Sequence, residues 1–204
     1  MPRRQRHKLN DRSARHDRAY KRAKNEGYAG RAIYKLEEID QKYRILRRGA
    51  RVLDLGCWPG SWMQYTAEKI GEDGYLLGID LKAVEIPLPA WVETVVGDVD
   101  EWAPPEQPFD VVLSDMAPHT TGDRHSDQFR SEELCRRALE IAKRALRPGG
   151  HVVIKVFQGG EFPDLLRELR ASFQEGRAYH AKNTRSSSIE QYLVGRGLKA
   201  SAST

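Results

Sequence analysis

"RVLDLGCWPGSW", residues 51–62, runs from apolar residues into an acid, a glycine and a loop. Val52, Leu53 and Leu55 read as a buried strand closing on Asp54 and Gly56, and "SWMQYTAEKI" (61–70) reads as the helix that follows. Asp54, Gly56 and Gly60 space as D-x-G-x-x-x-G between that strand and that helix, where glycines let a ligand approach the backbone. A dinucleotide site would instead need G-x-G-x-x-G, whose middle glycine brings a pyrophosphate to the helix start. That glycine is missing.

Three further strands repeat the pattern. "YLLGIDL" (75–81) closes on Asp80, and "VETVVGDV" (92–99) closes on Asp98. "FDVVLSDMAPHTTG" (109–122) climbs through Phe109, Val111, Val112 and Leu113 to Asp115 before breaking at Pro118 and Gly122. A charge is expensive within a strand covered on both faces, so Asp115 belongs at the carboxyl edge of the sheet, where open α/β folds place their ligands.

Between and beyond these strands the period becomes helical. Ala32, Ile33, Leu36, Ile39 and Tyr43 stripe a helix over 28–43, with Lys35 beside the stripe. A second helix is expected from Ser131 to about Leu146. Ser131 would be its cap, Glu132 and Glu133 would sit at the positive dipole end, and Lys143, Arg144 and Arg147 at the negative end. "RPGG" would stop that helix before a fifth strand, "HVVIKVF" (151–157). "FPDLLRELRASF" (162–173) reads as another helix and "EQYLVGRG" (190–197) as a last strand. Strands alternating with helices predict an α/β fold with a mostly parallel sheet and helices on both faces.

The chain of 204 residues carries a net charge of +5. Ten Lys or Arg against Asp11 and Asp17 give residues 1–24 a net +8, which leaves −3 for residues 25–204. The basicity is thus local. An arm with almost no large apolar residues cannot fold alone and suits a phosphate-rich partner. Its acids and weak apolar face argue against a transit peptide, and no run approaches a membrane span or a secretory signal. Cys57 and Cys135 form neither a disulfide framework nor a CxxC site, which fits a cytoplasmic protein. The six His show no metal-ligand spacing, so no metal is expected. Nothing in the sequence calls for a dimer, and a monomer is expected.

Asp80, about twenty residues past the glycine loop, is placed to accept hydrogen bonds from ribose hydroxyls. Asp98 could accept from an adenine amino group. Each acid taken singly is a turn former or a cap. Four strands ending in Asp54, Asp80, Asp98 and Asp115 on one sheet edge point to a nucleoside cofactor without pyrophosphate, namely S-adenosyl-L-methionine.

Lys155 interrupts the apolar run Val152, Val153, Ile154, Val156, Phe157. It either snorkels to solvent from a strand end or lies buried with a partner. Beside another cation such as Lys35, desolvation and like-charge repulsion would lower its pKa from ~10.4 and make a neutral amine available as a base. Glu190, entering the last strand in "SSSIEQYLVG", could hold one of these lysines.

"GRAIYKLEEID", "DLGCWPGSW", "VLSDMAP", "PGGHVVIKVFQG" and "TRSSSIEQYLVG", in this order over residues 28–198, resemble the FtsJ-type RNA 2′-O-ribose methyltransferases, and among them the group acting on large-subunit ribosomal RNA. The resemblance implies a Rossmann-like, mostly parallel seven-stranded sheet with an antiparallel strand near the C terminus. It implies three segments: a basic RNA-contacting arm over 1–27, a catalytic domain over 28–198 and a tail over 199–204. It implies a Lys-Asp-Lys-Glu tetrad at Lys35, Asp115, Lys155 and Glu190, and cofactor positions at Gly60, Trp62, Asp80, Asp98 and Asp115. The implied substrate is a uridine of 23S rRNA in the assembled large ribosomal subunit.

The sequence departs from that family's usual small residues at Cys57 and Trp58, from its second glycine at Ser61, and from a common asparagine at His119. A non-catalytic ribosome-assembly factor and a methyltransferase of tRNA or of a messenger cap are the rival readings. The intact pair of lysines weighs against the first. A dehydrogenase ranks last, for want of its phosphate loop.

Overall fold

The structure is a computed structural model in which residues 19–182 and 188–200 are described. Residues 1–18 of the expected arm, residues 183–187, which include the first four of the "TRSSSIEQYLVG" motif, and residues 201–204 of the expected tail lie outside the described residues. Residues 19–25 are helical (α1), and Ala23 is buried against the domain, so this part of the expected arm is packed.

The remaining elements follow in the order α2 (Ile33–Tyr43), β1 (Arg51–Leu55), α3 (Ser61–Ile70), β2 (Tyr75–Asp80), β3 (Val92–Val96), β4 (Phe109–Ser114), α4 (Arg124–Ala145), β5 (Leu146–Phe157), α5 (Phe162–Ser172), β6 (Phe173–Tyr179) and β7 (Glu190–Leu198). The strands form one sheet in the order β3-β2-β1-β4-β5-β7-β6. β7 alone runs antiparallel to its neighbours β5 and β6. Because β1 leads outward to β2 and β3 on one side, and β4 to β5 on the other, the strand order reverses between β1 and β4. That reversal leaves a crevice at their carboxyl ends, where open α/β sheets bind ligands.

Side-chain alternation sends successive strand residues to opposite faces. Leu53, Leu55, Val112, Val152, Ile154 and Val156 pack with Cys135, Leu139 and Ala142 of α4 and Leu165 and Leu169 of α5. Val52, Val111, Leu113, Val153 and Tyr192 pack with Leu36 and Ile39 of α2 and Trp62 and Met63 of α3. Lys155, two residues beyond Val153, therefore emerges on the α2 face, the face that carries Lys35.

Four local expectations are corrected. α4 begins at Arg124, seven residues before the expected start. Its cap is Asp123, whose carboxylate accepts the Ser126 amide at 3.1 Å. Ser131 is instead buried inside the helix and accepts the Phe157 amide at 2.8 Å, while buried Glu132 accepts the Gly159 amide at 3.0 Å. "RPGG" does not separate helix from strand, because β5 starts at Leu146 and pairs with Phe109 before a register shift. β3 ends at Val96, which leaves Asp98 in the following turn. β6 supplies the seventh strand that the resemblance implies, in a segment, "FQEGRAY", whose charges and glycine conceal it.

Candidate active site

The four residues implied as a tetrad come from α2, the loop just past β4, β5 and β7, and gather at the carboxyl edge of the parallel strands. On α2, Lys35 points its ammonium to Glu190 at the start of β7, with Nζ 2.5 Å from Oε1. On β5, Lys155 donates to the Asp115 backbone oxygen at 2.6 Å. Asp115 Oδ1 lies 3.0 Å from the same Nζ, an ion pair whose angles fall outside hydrogen-bond geometry. Solvent reaches only 12 % and 10 % of the Lys35 and Lys155 side chains, and 13 % and 22 % of Glu190 and Asp115. Each lysine thus loses most of its hydration and has a carboxylate in exchange.

The pairs share one electrostatic field. Burial pushes the Glu190 carboxyl up, but the charge and hydrogen bond of Lys35, the charge of Lys155 and the hydroxyl of Tyr192 outweigh it and hold the group below its ordinary value. Tyr192 donates to Glu190 Oε1 at 3.0 Å. Its fully buried phenol is pushed well up by burial first, then by the charges of Asp115 and Glu190. No sequence signal marks this contact, since a tyrosine in an apolar strand reads as core.

Lys155 and Asp115 form one end of a cleft of about 560 Å³, and Asp80, Asp98 and Gly56 line it further along. Its other walls include Trp58, Leu81, Lys82, Asp100, His119 and Leu134, of which Trp58 and His119 stood out in the sequence only as departures from a family pattern. The volume falls in the range of small-molecule sites, roughly 300–1,000 Å³. Asp80 anchors the loop across from β1: Oδ2 accepts the Trp58 amide at 3.0 Å and Oδ1 the Lys82 amide at 2.9 Å. A carboxylate offers about four lone-pair sites. Asp80 therefore keeps acceptor capacity for a diol, and Asp98, whose Oδ1 takes only the Asp100 amide, keeps it for a donor such as an amino group. A nucleoside fits this donor and acceptor set.

The other expected cofactor residues stand behind the cleft. Asp54 is fully buried on β1 and neither carboxyl oxygen has a protein hydrogen-bond partner. Burial, and then the charges of Asp115 and Asp80, push it well above the usual carboxylate range. Trp62 is buried and donates from Nε1 to the Ala32 carbonyl at 3.0 Å, tying the start of α3 to the start of α2 three residues before Lys35. Gly56 and Gly60 have φ of 74° and 108°. A Cβ at Gly56 would meet Met116 at 2.5 Å, and one at Gly60 would meet Ile86 at the same distance. These glycines therefore make room for the chain's own loops, in addition to any ligand.

Comparison with known proteins agrees with this geometry. The family model described as FtsJ-like methyltransferase matches residues 28–198. A protein of Syntrophobacter fumaroxidans named ribosomal RNA large subunit methyltransferase E is 46 % identical over 194 residues, covering 91 % of this chain and 97 % of its own. A protein of the same name from Desulfosudis oleivorans is 42 % identical over 190 residues, covering 91 % and 92 %. The crystal structure of a ribosomal RNA methyltransferase from Plasmodium falciparum superposes with a TM-score of 0.74 at 28 % identity, over 85 % of this chain and all of that one.

Proposed function

The chain belongs to the FtsJ-like methyltransferase family, and from that premise we propose that it methylates the ribose 2′-hydroxyl of a uridine in the 23S rRNA of the large ribosomal subunit, with S-adenosyl-L-methionine as donor. The observation that carries this reading is the Lys155–Asp115 pair at one end of a nucleoside-sized cleft, with the Lys35–Glu190 pair coupled to it electrostatically just outside the cleft lining. A protein that only bound RNA would have no use for two nearly buried lysines there. The names of the relatives support the choice of ribosomal RNA.

Asp80 would hold the ribose of the cofactor, Asp98 its base, and Gly56 its approach to the backbone, with Asp54, Gly60 and Trp62 shaping the cleft from behind. When bound, S-adenosyl-L-methionine supplies an electrophilic sulfonium methyl. The chain's own work is alignment and proton removal. Lys155 rests as an ammonium and must first release a proton to solvent; the amine so formed takes the proton of the 2′-hydroxyl as that oxygen attacks, and Asp115 holds the ammonium that results. Lys35, fixed by Glu190, faces the developing oxyanion and the RNA. Holding the reactants in near-attack geometry lowers the barrier by up to ~7–11 kcal/mol in the best intramolecular cases, and a positioned base adds roughly 10²–10⁴-fold.

The basic residues of 1–27 would contact RNA phosphates outside the cleft, with residues 28–198 as the catalytic domain of a cytoplasmic monomer. Among the described residues no helix is long and apolar enough to cross a membrane. The test is methyl transfer from labelled donor to undermethylated large subunits, beside naked rRNA and tRNA. Label recovered as a ribose methyl of uridine in subunit rRNA supports the reading. Label in tRNA alone would redirect it to another RNA, and cofactor binding with no label in any RNA would favour an assembly factor.

A further inference from the structure

Trp58 is 49 % exposed in the loop before α3, whereas Trp62 in the first turn of α3 is buried. A half-exposed indole and the still more exposed Leu81, both on the wall of a cleft, have the character of a surface completed by a ligand. Its position is fixed from two directions. Its amide is held by Asp80 Oδ2, and its ring carries the Lys82 ammonium 4.4 Å from the centroid, a cation–π contact. Lys82 is anchored through its own amide to the other oxygen of the same carboxylate. Asp80 therefore grips Trp58 and Lys82 together, and any diol that takes its remaining lone pairs comes up beside that pair.

We propose that Trp58 and Lys82 form a clamp on the nucleoside half of the cofactor. The indole covers the ribose once Asp80 has taken its hydroxyls, and Lys82 holds the ring in that place. The clamp sets how tightly the cofactor is held and how slowly it leaves. The proposal rests on the reading that the cleft binds S-adenosylmethionine.

Calorimetric binding of S-adenosylhomocysteine to the full-length protein, with stopped-flow displacement for the off-rate, tests it. Trp58→Ala is expected to weaken binding on the order of tenfold, mostly through a faster off-rate, as loss of an aromatic contact implies. Trp58→Phe should recover part of that loss, and Lys82→Met should weaken binding by a smaller factor. Because both side chains stand at the surface, unchanged thermal unfolding of the variants would confirm an intact fold. Wild-type affinity and off-rate in all three variants would overturn the clamp while leaving the cofactor reading intact. Failure of the unaltered protein to bind S-adenosylhomocysteine would bring down both. Variants that bind it normally but lose affinity for ribosomal subunits would assign the indole to RNA and overturn the clamp.

Discussion

Lys155 is gripped twice by Asp115, through the backbone oxygen at 2.6 Å and through Oδ1 at 3.0 Å. Its charge also helps keep Glu190 ionised, so one ammonium stands between two carboxylates. Lys155→Met keeps most of the side-chain volume and removes both the base and that charge. Single-turnover methyl transfer is expected to fall by at least ~10²-fold, while calorimetry still detects S-adenosylhomocysteine. Near-normal turnover would end the assignment of Lys155 as base.

Asp54 gives a pH signature of opposite sign from an ordinary salt-bridged acid. Its folded pKa is raised, chiefly by burial, above an unfolded value of ~3.9. The folded state thus keeps a proton that the unfolded state releases. Its contribution is fully present below the unfolded pKa and drains away as pH rises toward the folded one, by up to ~1.4 kcal/mol per pH unit. Asp54→Asn cannot lose that proton. Urea unfolding between pH 4.5 and 8 should show the variant gaining on the wild type as pH rises. A gap that stays constant across the range would mean that Asp54 is ionised in the folded protein.

The sheet and most of the site were legible because they rest on strong local signals. Apolar runs ending in acids mark the strands around β1 and β4, and Lys155 breaks the run of β5. The residues behind the cleft were harder to read. Asp54 and Trp62 satisfy the same spacing rules as cleft residues, and only the alternation of β1 and the burial of α3 turn them away from it. Trp58 and Lys82 are brought to one wall by their shared bonds to Asp80, a relation across the sheet that no sequence period encodes. The start of α4 was missed because "DRHSDQF" holds a single large apolar residue, Phe129, and that residue faces solvent.

That missed helix start can be tested at two residues with different jobs. Ser131→Ala leaves the Phe157 amide without its partner and should cost about 1–3 kcal/mol. Asp123→Ala removes the cap and should cost about 1 kcal/mol. Hydrogen exchange separates them. The Phe157 amide should lose protection in the first variant alone, and residues 124–130 should fray in the second alone. No protection over 124–130 in the unaltered protein, with fraying at 132–135 in the Ser131 variant, would place the cap back at Ser131.

The proposed function gives the amino-terminal basic residues a part in affinity and none in the chemistry. Arg3, Arg4, Arg6 and Lys8 lie outside the described residues, and the proposed function has them on RNA phosphates. Each phosphate contact steepens the dependence of log K on log salt by ~0.7–0.9. Replacing all four by Gln should therefore flatten the slope for large-subunit binding by about 3, with no change in the affinity for S-adenosylhomocysteine. The slope is measured by titrating subunits at several salt concentrations, and the comparison must be made there because a single high-salt point screens the effect away. An unchanged slope would move the RNA contacts to the folded domain, where Lys42, Arg44 and Arg48 would become the next residues to neutralise.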